Sequence, residues 1–295
     1  FWVGPLNITT IQTPVTLPYT DDFSANNWIL NNGSQTNKWF VGAADGNPAN
    51  ALYISNDVAG ATTTYAHTTS VVQASKTIAF TAGSNPFQLS FDWKAGGETG
   101  TDYVRVWIVP ATATLTPGTQ INTTNTPGAI QLGANHHLQA TWKTNNYMIP
   151  VSYAGTTAKL VFEWRNNGSL GTTTPSIVVD NIHVKSSTCP PPTALALSSI
   201  SSASANTTWT AGATETNWNI QWGAPGFTPG TGTQIGSGTS TVASYTVNGL
   251  TQLTSYDIYV QADCGAGDVS FWVGPLNITT IQTPVTLPYT DDFSA

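Results

Sequence analysis

Short runs of alternating hydrophobic and polar residues dominate the chain, and helical periodicity is nearly absent. Clear examples are Phe87–Trp93, Asp102–Val109 and Lys159–Trp164. Successive side chains of a strand point to opposite faces, so this period-2 pattern predicts strands with one buried face. Clusters of Gly, Pro, Asn and Thr separate the runs. Many short strands between such turns predict an all-β chain built of sandwiches.

The first 25 residues, FWVGPLNITTIQTPVTLPYTDDFSA, recur identically as the last 25, at an offset of 270 residues. A period of this length exceeds the roughly 20–50 residues of solenoid units, so each period should contain whole domains. We therefore expect slightly more than one period of a tandem array, cut from a longer protein or formed from joined copies. A segment cut from an array has no native terminus, so we draw nothing from the absence of a signal peptide.

Composition narrows the class of protein. Charged residues make up 8% of the chain, against about 25% in typical globular domains. The net charge is −7 and the eight basic residues are scattered, which argues against a nucleic-acid partner. No apolar run approaches the roughly 18 residues that a membrane span needs, so we expect no membrane insertion in this segment. A surface of hydroxyls and amides suits an extracellular protein attached to the cell surface.

The two cysteines, Cys189 and Cys264, fall within one predicted domain. In an exported chain such a pair is expected to form a disulfide. Two buried free thiols are the alternative.

Residues 188–280 carry a regular sandwich pattern. Trp218, Ile220 and Trp222 alternate along one strand, and Leu250 precedes Tyr256 by six residues, the spacing of a tyrosine corner. With Cys189-Pro190, Trp209 and the run Val260–Gly265, this segment resembles a fibronectin type III domain. Such a domain needs a last strand after its second cysteine, and Ser270–Ile278 supplies it. Residues 1–10 are then the last strand of a preceding copy.

Residues 18–187 have the size of a jelly-roll β-sandwich. They resemble the MAM-like, cleaved-adhesin or choice-of-anchor jelly rolls of large surface proteins exported by the type 9 secretion route. The segments that carry the resemblance are Leu17–Ser24, Ala51–Asp57, Phe91–Glu98 and Ile177–Val184. Residues 11–17 are then a linker, and residues 281–295 are a linker and the start of the next jelly roll.

The jelly-roll resemblance implies a structural Ca²⁺ held by one acid from the first strand and one from the last. The matching positions are Asp22 and Asp180, with Asp57 and Asp102 as further candidates. Ser24 stands where related sequences often carry a second acid. The alternative is that Asp180 caps a turn and that Asp22 is solvated.

Catalytic motifs are absent, and the four histidines His67, His136, His137 and His183 form no recognisable motif. Glu98 and Asp102 could form the carboxylate pair of a glycosidase, but structural roles for these two acids fit better. We therefore expect that the protein is not an enzyme.

Eleven tryptophans are present. Trp93, Trp107 and Trp164 occupy alternating strand positions that predict core packing. Trp28, Trp39 and Trp142 lie in less regular segments, where exposed rings would be able to stack on sugars.

These observations predict a structural repeat of a long extracellular adhesin or filament that supports cell adhesion or surface motility. Its partners would be neighbouring repeats of the same protein, with surface glycans or other cells as further partners. One alternative is a carbohydrate-binding accessory module of a secreted protein. Another is a filament subunit in which separate chains assemble through the duplicated ends.

Overall fold

The computed structural model describes residues 12–169 and 175–290. The chain divides into two compact units with the boundary between Ser186 and Ser187. The all-β prediction is confirmed: a single 3₁₀ turn, Val151–Tyr153, is the one helical element of the described residues. No helix within these ranges has the length and apolar character of a membrane span. The strand predicted for residues 1–10 lies outside the described residues, as do residues 291–295.

The first unit is a sandwich of two six-stranded sheets. Sheet A contains β1 (Val15–Thr16), β3 (Ile29–Asn31), β6 (Ser70–Ala79), β8 (Tyr103–Pro110), β9 (Ile130–His136) and β11 (Thr157–Asn166). Sheet B contains β2 (Tyr19–Asp21), β4 (Lys38–Gly42), β5 (Ala51–Ser55), β7 (Phe87–Ala95), β10 (Gln139–Ile149) and β12 (Val178–Ser186). From β5 to β8 the chain changes sheet at every step, which is the alternation of a jelly roll.

The core of this unit follows from the period-2 pattern. On β7, Phe87, Leu89, Phe91 and Trp93 face the space between the sheets and are buried, whereas the alternate residues face outward. Phe162 on β11 meets Phe91 edge to face, with ring centroids 5.2 Å apart. Aromatic rings from both sheets therefore fill the interior.

The outer face of sheet A holds a buried ion pair. Glu163 on β11 is fully buried, and the Arg105 guanidinium on β8 lies 2.5 Å from its carboxylate. The backbone N–H of Ile121 donates to the second carboxylate oxygen at 2.5 Å. Ile121 belongs to the long β8–β9 connection, which packs over Trp107 and Val109 of β8 on this face. The ion pair thus ties that connection to the sheet.

The second unit is a smaller sandwich with sheets of three and four strands. The first sheet has the order β13 (Thr193–Ile200), β14 (Ser204–Thr210), β17 (Ser244–Asn248), and the second has the order β16 (Gly236–Ser240), β15 (Trp218–Gly223), β18 (Ser255–Ala262), β19 (Val273–Thr279). Trp209 and Trp218 meet edge to face across the two sheets, at 5.7 Å between ring centroids.

The ion pair of sheet A yields a stability prediction. Replacement Arg105→Met leaves Glu163 buried without its cation, so we expect unfolding of the first unit to become easier by about 3–5 kcal/mol at neutral pH. Burial already raises the pKa of Glu163, so acidification neutralises the orphaned carboxylate and the penalty should shrink at low pH. Urea unfolding at pH 7 and at acidic pH measures both effects.

Arg165→Met is the matched control for this variant. The Arg165 guanidinium donates to the backbone carbonyl oxygens of Gly100 and Thr101 and makes no carboxylate pair in the described residues. The buried ion pair is contradicted if Arg105→Met lowers the free energy of unfolding by no more than Arg165→Met does.

Candidate functional site

A pair of acids lies on the outer face of sheet B, where β7 and β12 run side by side. Asp92 and Asp180 occupy facing register positions, and the pairing then shifts between Asp180 and His183. Within that bulge Asn181 adopts a left-handed backbone with φ of 49°, a conformation that asparagine tolerates better than most residues. The bulge turns the Asn181 side chain towards the acids.

Hydrogen bonds hold both carboxylates in place. The backbone N–H groups of Asn47 and Asn181 each donate to Asp180 at 2.7 Å. Asp92 accepts from the Asn181 side-chain amide at 2.9 Å, from that of Asn47 at 3.2 Å and from the Thr144 hydroxyl at 2.5 Å. We call Asp92, Asp180, Asn47 and Asn181 the β7–β12 polar cluster. It is a set of oxygen-rich side chains at the surface of one sheet.

The charge state of this cluster depends on pH. Asp180 is only 1% exposed, and burial, together with the nearby charges of Asp92 and Asp22, raises its pKa to about 6. Asp22 is exposed, and contacts with the Ser24 hydroxyl and backbone amide lower its pKa. The predicted calcium acids Asp22 and Asp180 therefore lie close enough to interact electrostatically. In the described ranges, however, no three acid, histidine or cysteine side chains converge as a metal site would require.

The other two calcium candidates are bonded elsewhere in the fold. Asp57 follows β5 and accepts from the backbone N–H groups of Ala59 and Ala61, which closes a turn. Asp102 is fully buried and accepts from the Tyr65 hydroxyl at 2.9 Å. These contacts give both residues structural roles, and neither belongs to the β7–β12 polar cluster.

The suggested glycosidase pair has the same character. The Glu98 carboxylate accepts from the hydroxyls of Thr101 and Ser169, and its backbone pairs with Asp102 in an isolated β-bridge. Because the Asp102 carboxylate is buried, these two acids do not present an accessible pair to a glycosidic bond.

The expectation that Trp28 and Trp39 are exposed is wrong. Trp28 is 6% exposed and Trp39 is fully buried. The Trp28 indole N–H donates to Asp21 at 2.9 Å, and that of Trp39 donates to the carbonyl oxygen of Val72 at 3.1 Å. Each ring therefore enters the core with its polar N–H satisfied, and neither is able to stack on a sugar.

Trp142 differs, because it is half-buried on the outer face of sheet B. It packs against a small cluster that includes Phe40 and Tyr53. The Lys94 ammonium lies 4.8 Å from its ring centroid and forms an ion pair with Asp45 at 2.7 Å. Of the three proposed glycan contacts, only this ring keeps an accessible surface.

The second unit carries the features that the sequence predicted for it. Cys189 and Cys264 form a disulfide with a Cα–Cα distance of 5.7 Å, across 75 residues of sequence. Closing a loop of this length stabilises a domain by roughly 3–5 kcal/mol in the chain-entropy picture. The Tyr256 hydroxyl accepts from the backbone N–H of Thr251 at 3.0 Å, which is a tyrosine corner.

Comparison with known families agrees with this geometry. The family model described as "Fibronectin type III domain" matches residues 190–278. These residues form a fibronectin type III domain. No curated protein matches the chain.

Several solved structures are similar to parts of the chain. One is the fibronectin type III domain of the human collagen alpha-1(XX) chain, with 22% identity over 33% of this chain and 89% of that one, at a TM-score of 0.28. Another is the CBM22-1 xylan-binding domain from Paenibacillus barcinonensis Xyn10C, with 10% identity over 57% and 92%, at 0.35. A third is a beta-1,2-glucanase from Parabacteroides distasonis, with 15% identity over 92% and 39%, at 0.31.

The fibronectin type III domain uses the first half of the duplicated segment. Its last strand, β19, pairs with β18 and places Ile278 opposite Tyr256. Ile278 is buried in the core of the domain. In the first copy, by contrast, the second half of the same sequence is built into the sandwich: β1 pairs with β6, and β2 pairs with β12.

The β7–β12 polar cluster yields a pH prediction. Asp180 has a folded pKa of about 6, above the roughly 3.9 of an unfolded aspartate. The folded state therefore holds the proton more tightly, so this residue's contribution to stability is present at pH 4 and is lost as the pH rises through 6. We expect the stability of wild type relative to Asp180→Asn to fall by on the order of 1–3 kcal/mol between pH 4 and 7. Parallel pH–stability curves for the two proteins would contradict this assignment.

The same pair of proteins tests calcium. If Asp180 contributes to a Ca²⁺ site, added Ca²⁺ raises the melting temperature of the first unit in wild type and not in Asp180→Asn, and EDTA reverses the rise. An unchanged wild-type melt would rule out the site.

Proposed function

We propose that this chain is a structural segment of a long extracellular surface adhesin or filament, in which a period of one jelly roll and one fibronectin type III domain repeats. The single observation that carries the proposal is the identical 25-residue duplication. Its two copies are used by different domains: residues 15–21 supply strands of the jelly roll, and residues 273–279 supply the last strand of the fibronectin domain. One sequence that ends one domain and begins another is what a tandem array requires at each joint.

Two physical features of the chain support the role of a stalk that resists unfolding. The disulfide ties the start of the fibronectin domain, at Cys189, to its late strands, at Cys264. With charged residues at 8%, the surface is dominated by hydroxyls and amides. We propose cell adhesion or surface motility as the role of such a stalk, an export-dependent location at the cell surface, and no catalytic activity. A structural Ca²⁺ at Asp22 and Asp180 would further stiffen the jelly roll.

Carbohydrate binding is the alternative role. Of Trp28, Trp39 and Trp142, only Trp142 has a ring surface that a sugar could contact. Trp28 and Trp39 are buried in the core. Near-identical repeats also serve a stalk better than a specific accessory module, since a stalk needs many equivalent spacers.

The length of the native polypeptide tests the proposal. We expect an antibody raised against this segment to detect, on a denaturing and reducing gel of surface material, a chain several times longer than the 270-residue offset. Mass spectrometry of that band should find peptides that cross the joint. A native chain close to one period would contradict the array and favour a subunit that assembles through its duplicated ends.

A further inference from the structure

We infer that residues 280–289 form a joint that is bound on both sides. The fibronectin type III domain that precedes it binds one side, and the remainder of a following jelly roll, with the sequence of residues 20–186, binds the other. The inference rests on the proposed tandem array and adds the identity of the partner surface. In this joint no freely flexible linker separates the two domains.

The fibronectin domain holds the first residues of the joint. The Thr280 hydroxyl donates to the carbonyl oxygen of Thr251 at 2.5 Å and accepts from the backbone N–H of Thr254 at 2.9 Å. The backbone N–H of Ile281 donates to Ser201 at 3.3 Å, and that of Thr283 donates to the Gln252 side chain at 2.8 Å. These bonds continue past the end of β19.

The jelly roll holds the equivalent residues of the first copy. Gln12, which corresponds to Gln282, accepts from the backbone N–H of Thr77 at 2.8 Å and donates to the carbonyl oxygen of Asn27 at 2.5 Å. Val15, which corresponds to Val285, pairs in parallel with Ile78. Tyr19, which corresponds to Tyr289, pairs with Val184.

The two sets of bonds do not compete for an atom. The fibronectin domain uses the Thr280 side chain and the backbone N–H groups of Ile281 and Thr283. The jelly roll uses the side chain at the position of Gln282 and the backbone from the position of Val285 onward. Thr280, Ile281 and Thr283 therefore belong to the fibronectin domain and Gln282 to the jelly roll, and none of these four positions is left as a spacer.

The exposed side chains of the second copy identify the partner surface. Val285 is 57% exposed and Leu287 is 89% exposed, whereas their counterparts Val15 and Leu17 pack against the jelly-roll core. A following jelly roll offers these side chains the same sites, next to its β6 and β12. Burial of this apolar surface favours the joint.

A chain of two periods tests the joint directly. Residues 26–295 are appended to the full chain, which makes the duplicated segment internal. Spin labels are placed at Ala203→Cys in the first fibronectin domain and at His183→Cys in the following jelly roll. Both positions are exposed. A label pair at His183→Cys and Thr157→Cys, two exposed positions on different sheets of one jelly roll, gives the width of a rigid distance distribution.

We expect the distances between the two labels that span the joint to be distributed about as narrowly as those of the rigid reference pair. A Gly-Ser insertion of about six residues after Gln282 adds a flexible span of roughly 13 Å and should broaden this distribution at least about twofold. The same insertion after Gly232, an exposed loop residue, should leave it unchanged. A distribution as broad in the uninserted chain as after the Gln282 insertion would overturn the gripped joint.

This outcome is separable from that of the proposed function. A native chain of one period with a narrow distribution in the two-period chain would refute the array and leave the joint chemistry intact. A long native chain with a broad distribution would refute the joint alone. Substitution Gln282→Ala should broaden the distribution without unfolding either domain, which the melt of the two-period chain checks.

Discussion

A strand inside a sheet needs a neighbour on each side, because its buried backbone N–H and C=O groups must be paired. In this protein the two halves of the duplicated 25-residue sequence meet that requirement in two different domains. As β19 it pairs with β18 and completes the four-stranded sheet of the fibronectin type III domain. As β1 and β2 it adds to both sheets of the jelly roll, next to β6 and β12. The proposed tandem organisation is built on this use of the two halves.

A buried lysine also holds the duplicated segment to the jelly roll. Such charged contacts are few in this low-charge protein. Lys76 points from β6 towards the interior and is 3% exposed. Its ammonium donates to the backbone and side-chain oxygens of Asn27 at 3.1 and 2.7 Å and lies over the Tyr19 ring. Burial lowers the pKa of Lys76, and the charge of Asp21 opposes that shift. Tyr19 and Asp21 both belong to the duplicated segment, so the buried cation and the segment depend on each other.

Local patterns in the sequence were sufficient where the deciding contact is local or periodic. Alternation predicted the aromatic core of β7, and the six-residue spacing from Leu250 predicted the tyrosine corner. The disulfide followed from two cysteines in one predicted domain. The prediction that Trp28 and Trp39 are exposed was wrong because both lie beside turns and short strands. The alternation of polar and apolar residues there is too brief to show which side faces the core. Their burial is decided by Phe162 and Val72, which are remote in sequence.

The β7–β12 polar cluster escaped sequence reasoning for a similar reason. Asp180 was singled out, but Asp92 and Asn47 were not, because only the pairing of strands far apart in sequence brings them together. From the sequence, Asp92 lies between the inward-facing Phe91 and Trp93, which predicts only that its side chain faces outward. A bulge at Asn181 gave no signal beyond an asparagine that follows an aspartate.

Hydrogen–deuterium exchange is the most direct test of the claim that one segment serves two domains. In the single chain, amides from Val285 to Leu287 should exchange faster than those from Val15 to Leu17, although the two stretches have the same sequence. In the two-period chain, where a following jelly roll is present, the protection of Val285 and Thr286 should rise to that of Val15 and Thr16. Equally fast exchange of this stretch in both chains would contradict the account.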